Sequence, residues 1–92
     1  MNAATATETT KTILVVSRSV ASRCVDADVR VRVEDGAVVL SATAVHGDRT
    51  AEISTRFAFD GDLVALRGFG KAADDLAAKI NQARHQGLEV AR

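Results

Sequence analysis

From Asp28 onward, apolar and polar residues alternate along the chain. Val29, Val31 and Val33 interleave with Arg30, Arg32 and Glu34. Period two predicts a strand with one apolar face. Asp35-Gly36 follows, a dipeptide suited to the positive φ angles of a type I′ hairpin turn. If those two residues form the loop, Val33 faces Val38, Val31 faces Leu40 and Val29 faces Ala42. A slip of one residue would put arginines into the core, so the register is well determined. A loop at Gly47-Asp48 pairs Ala44 with Ala51, Ala42 with Ile53, Leu40 with Thr55 and Val38 with Phe57. A third turn, at Asp60-Gly61 or Gly61-Asp62, sets Val64 and Leu66 beside Phe57. All three turns select the same inner face, the agreement expected when local signals and fold are consistent.

The flanks change period. Residues 71–86 predict a helix with an apolar stripe of Ala73, Leu76, Ala77, Ile80 and Ala83, while Asp74, Asp75, Gln82 and His85 lie elsewhere. Gly87 is a natural stop, and Gly68 and Gly70 form the connection from the last strand. Residues 12–25 carry Ile13, Val16, Val20 and Cys24 at helical spacing, yet Ile13-Leu14-Val15-Val16 is β-rich. Two readings stand: one helix, or a strand at 12–17 followed by a short helix. The first eleven residues are small and polar and predict a flexible tail. Residues 88–92 read as a C-terminal tail that frays or caps a sheet edge. The expectation is a single domain over 12–87. It is a two-layer α+β fold in which helices cover one face of a three- to four-stranded antiparallel meander, in the order α-β-β-β-(β)-α.

Composition narrows the function more than the fold. Ninety-two residues make one domain, 47% hydrophobic, with Phe57, Phe59 and Phe69 as its aromatics. Twelve basic and twelve acidic residues cancel, which argues against a general nucleic-acid or membrane surface. Cys24 is the sole cysteine, so no internal disulfide is expected. No secretory signal is read, and the longest apolar run, Ile13 to Val16, is too short to span a bilayer. A cytoplasmic location follows as the expectation.

The same register that builds the core builds an outer face. One cross-strand row holds Arg32, Val39, Arg56 and Ala65, and the next holds Arg30, Ser41, Ser54 and Arg67. Asp28, Glu34 and Glu52 lie toward the margins. Guanidinium groups suit phosphate or carboxylate, so the row can be an anion or RNA-backbone site. The plain alternative is a solvated sheet face of mixed charge. Val39, Val45 and Leu63 on this face also permit a protein partner.

Other motifs carry less. Gly68-Phe69-Gly70-Lys71 opens a helix, whose amides attract anions, but it lacks the spacing of a Walker loop or dinucleotide fingerprint. Asp74 and Asp75 in that first turn would repel phosphate. Cys24, His46 and His85 show no metal-ligand spacing, and Cys24 falls on an apolar stripe. No catalytic residue, metal site or cofactor is expected.

From Ala51 to Arg84 the chain resembles the ribosome hibernation-promoting factor family, also called the sigma-54 modulation family. The similarity lies in the Ala51-Glu52 strand start, the Asp60-Gly61 turn, Leu63 and Ala65. It continues in the helix Ala72-Ala73-Asp74-Asp75-Leu76-Ala77-Ala78-Lys79-Ile80. Gly70 stands where that family has an aromatic. A second resemblance is to the double-stranded RNA-binding domain in element order and in the glycines of Gly68-Phe69-Gly70-Lys71, without that domain's lysine cluster. Both imply an RNA or ribosome partner, with Lys71, Lys79 and Arg84 on the helix as further phosphate contacts.

The leading expectation is a small non-enzymatic module that binds RNA or the ribosome through Arg30, Arg32, Arg56 and Arg67, or through Lys71, Lys79 and Arg84. The alternative is a protein-interaction or self-assembly module that uses an exposed sheet edge, such as the first strand of the meander.

Overall fold

Alternation and turn chemistry produce the meander as expected. The computed structural model describes residues 2–59 and 68–92, with side chains in the first helix described from Thr9 onward. Elements run α1 (Asn2–Arg23), β1 (Arg30–Glu34), β2 (Ala37–His46), β3 (Arg49–Ala58), α2 (Phe69–His85) and β4 (Glu89–Val90). All strand pairs are antiparallel, so this is a two-layer α+β fold in the order α-β-β-β-α-β.

The β1–β2 register is Val33↔Val38 and Val31↔Leu40. Asp35 and Gly36 both take positive φ, 46° and 72°, matching a type I′ turn. The β2–β3 register is Ala44↔Ala51, Ala42↔Ile53, Leu40↔Thr55 and Val38↔Phe57. Gly47 supplies the positive φ at the head of that second turn. The expected third turn and the strand holding Val64, Leu66 and Arg67 lie outside the described residues.

Residues 12–25 resolve in favour of helix. Thr12, Val16, Val20 and Cys24 recur every four positions and are all buried, which seats α1 on the core despite its β-branched residues. The expected tail is a correction: α1 begins at Asn2. Residues 2–11 contain neither Gly nor Pro, and adding residues to an existing helix avoids the cost of a new nucleus. Of the two readings of residues 88–92, fraying or capping a sheet edge, the second is the one observed. Gly87 at φ 87° ends α2; its N–H donates to the Arg84 carbonyl, and the Leu88 N–H to the Ala83 carbonyl, each at 3.0 Å. This paired cap turns the chain back, and β4 joins the edge of β2 at Ala44↔Val90 and Val45↔Glu89.

α1 packs against β1 and α2, while α2 lies over β3, β2 and β4. The core between the layers is Val16, Val20 and Cys24 from α1, Val38, Leu40 and Ala42 from β2, and Ala73, Leu76 and Ile80 from α2. β1 and β4 line different stretches of the same edge of β2, and the Asp28 N–H donates to the Ala91 carbonyl at 2.8 Å where they meet.

Candidate functional site

Strand register places two rows on the outer sheet face, Arg32–Val39–Arg56 and Arg30–Ser41–Ser54, as the alternation predicts. Arg67 lies outside the described residues. What the guanidiniums do there differs from expectation. Arg32 Nε donates to Glu34 at 3.1 Å and its terminal nitrogen to Glu52 at 3.3 Å. Glu52 is on β3, so the Arg32 side chain crosses β2 from one neighbour to the other. The Glu34 hydrogen bond comes first among the causes that push the Arg32 pKa up.

This crossing alters the middle of the face. Val39 is 5% exposed and Ser41 7% exposed although both point away from the helices. Long aliphatic stems shield a central residue in this way. Val39 is therefore withdrawn from the outward contact surface on which the alternation had placed it. The central strand is buried on both faces, whereas its neighbours β1 and β3 are not.

The helix cations divide similarly. Lys79 Nζ is 3.2 Å from Asp75 one turn earlier and 3.0 Å from the Ser54 carbonyl. Arg84 donates to the Asp26 carbonyl at 2.8 Å and so ties α2 to the segment after α1. Lys71 is exposed, and it shares an open groove with Arg56, Phe57 and Gly68. Of the six predicted cations within the described residues, Arg32, Lys79 and Arg84 hold the protein's own oxygens. Arg30, Arg56 and Lys71 form no ion pair among the described residues.

α2 starts two residues earlier than the helical period suggested, so its first turn carries no acidic residue. Asp74 instead pairs with Arg23 of α1 at 3.0 Å. The Thr55 hydroxyl first, and Lys79 second, hold the Asp75 carboxyl below its ordinary value. Cys24 is buried and its Sγ lies 3.6 Å from the Ala73 carbonyl. Desolvation, reinforced by Asp74 and opposed by Arg23, pushes its thiol pKa up, which disfavours the nucleophilic thiolate. Among the described residues no group of three His, Cys, Asp or Glu side chains is arranged to hold a metal ion. No helix among them is long and apolar enough to cross a membrane.

The other surface feature is an edge. In the described sheet β1 and β3 are the two terminal strands. The turn-closing pair Glu34↔Ala37 sets the alternation, so Arg30, Arg32 and Glu34 direct their backbone groups toward β2. Those of Val31 and Val33 point away, toward no described strand. Val29, Val31 and Val33 are only partly buried against the core. β3 differs: the outward Ser54 carbonyl is already occupied by Lys79. Comparison with known protein families, with curated proteins and with solved structures found no match to this chain.

Proposed function

We propose that the chain is a non-enzymatic protein-interaction module that accepts an extended strand of a partner along the edge of β1 that no described strand covers. The observation that carries this is the outward row of Val31 and Val33 backbone groups beside half-buried valines. Adding a strand would satisfy those groups and cover that apolar surface together. The engaged state of Arg32, Lys79 and Arg84 weighs against phosphate as the main ligand.

Selection of a random-peptide display library on the chain tests the proposal. The expected winners alternate apolar and polar residues. Synthetic copies should protect the Val31 and Val33 amides from hydrogen exchange. Val33→Pro should abolish their binding, because it deletes an outward donor while leaving the ladder to β2 intact. No selected peptide, or peptides that bind the Val33→Pro protein equally well, would overturn it.

A second reading rests on Arg30, Arg56 and Lys71, the cations without an ion-pair partner among the described residues. They would contact RNA phosphates, as the ribosome-associated resemblance implies. Three such contacts give a slope of about −2 to −3 in log affinity against log salt. The Arg30/Arg56/Lys71 triple alanine variant should lose that binding; a flat salt response would exclude it.

A further inference from the structure

Resting on the β1-edge reading, the geometry points to a specific class of partner. We propose that it is an isolated extended peptide, alternating apolar with polar residues and acidic opposite Arg30, rather than a second copy of this chain.

The roof over the edge argues against a second copy. Among the strands α1 lies nearest β1, and it sits beside α2, which lies over β2 and β3. Packed helices stand 8–10 Å apart, whereas neighbouring strands stand about 4.8 Å apart. α1 therefore lies over the outermost strand or beyond it. Two β1 strands joined antiparallel, edge to edge, are related by an axis perpendicular to the sheet, which would bring two α1 helices into one space. A peptide with no helix of its own meets no such obstacle.

That same roof supplies a side wall. Arg23 faces α2 through Asp74. Leu14 precedes Arg23 by nine residues, about two and a half turns, so it projects from the opposite flank. That flank is on the β1-edge side, and Leu14 is 54% exposed. Ser17 and Ala21 share the flank and leave room beside it. An added strand would send alternate side chains under this wall, against Val31, Val33 and Leu14.

The opposite side chains of the added strand would meet Arg30, Arg32 and Glu34. Arg30 is exposed and without an ion pair among the described residues, whereas Arg32 already has two carboxylates. Cross-strand charge pairs of opposite sign stabilise and like charges oppose. An antiparallel occupant is therefore apolar opposite Val31 and Val33, acidic opposite Arg30 and basic opposite Glu34.

The probe is a synthetic peptide with the core Lys-Val-Thr-Val-Glu, neutral opposite Arg32, titrated by calorimetry, with Glu-Val-Thr-Val-Lys as the charge-reversed control. The first should protect the Val31 and Val33 amides and bind at least about tenfold more tightly than the control. In an Arg30→Glu/Glu34→Lys protein the preference should invert. Leu14→Asp should weaken binding while leaving the thermal midpoint unchanged. Equal binding of both peptides, or an unaffected Leu14→Asp variant, would overturn the inference. So would sedimentation that shows a dimer whose assembly protects those amides without peptide. If the display library yields edge-binding peptides of another charge pattern, only this inference falls; if it yields none, the edge reading falls with it.

Discussion

Lys79 of α2 places its ammonium 3.0 Å from the carbonyl of Ser54, on the side of β3 that faces away from β2. The bond puts a cation against an outward carbonyl, one of the devices by which sheets blunt their edges. It also separates the two sides of the sheet, because β1 has no such guard among the described residues.

Lys79→Met keeps most of the aliphatic stem and removes the charge. The expected loss of stability is about 1 kcal/mol or less, since the side chain is about half exposed. Strand-forming peptides should bind the variant at β1 as they bind the wild type. Denaturant titration and calorimetry check the two halves of this prediction separately.

Leu76 is fully buried between the layers, whereas Leu14 is more than half exposed. Leu76→Ala should cost about 2–5 kcal/mol, and Leu14→Ala should stay within about 0.5 kcal/mol. Thermal unfolding decides this. Comparable losses at both sites would mean that α1 is seated differently from the structure described above.

Cys24 should be unreactive while the protein is folded. Its burial and raised pKa keep the thiol protonated and inaccessible. Labelling with a thiol reagent at mildly alkaline pH should proceed only as fast as the chain opens, and denaturant should accelerate it. Rapid labelling under native conditions would contradict the packing of α1 on α2.

Asp75 has a folded-state pKa below its unfolded value, through Thr55 and then Lys79. The sign follows from proton linkage: its contribution is complete above the unfolded pKa, near 3.8. It is lost as pH falls through the lower folded value. Asp75→Asn should therefore flatten the acid limb of the stability curve below about pH 4 and leave the response of stability to pH unchanged between pH 6 and 8. Urea titrations at several pH values measure it.

The meander was legible because turn residues and side-chain parity are local and mutually restrictive. Asp35-Gly36 and Gly47-Asp48 each admit few registers, and the valines exclude the rest. The start of α1 was not legible, because an Ala- and Thr-rich segment whose sequence carries no large apolar residue reads the same as a helix or as a tail. The C-terminal residues were left between fraying and capping a sheet edge for another reason: two residues carry no period, and Glu89–Val90 form a strand because the Gly87 cap returns them to β2. For the site, alternation placed Arg30, Arg32 and Arg56 on one face. It did not show that Arg32 spends its donors on Glu34 and Glu52, since a contact across two strands depends on side-chain reach and sheet twist. The edge of β1, beyond which no described strand lies, was foreseen as an alternative. Its roof was not, because helix placement over strands is a tertiary choice.

The junction of Asp28 with Ala91 has a consequence for how the molecule assembles. Both hairpins close over short loops and can form as soon as their residues exist. The far stretch of β2, from Thr43 to Val45, gains its second neighbour only when β4 arrives. That requires joining positions more than forty residues apart, a step slowed by loop-closure entropy. Until then one edge of the central strand stays open from Thr43 to Val45, so a polypeptide emerging from its N-terminus completes the protection of its most apolar strand only with its last residues.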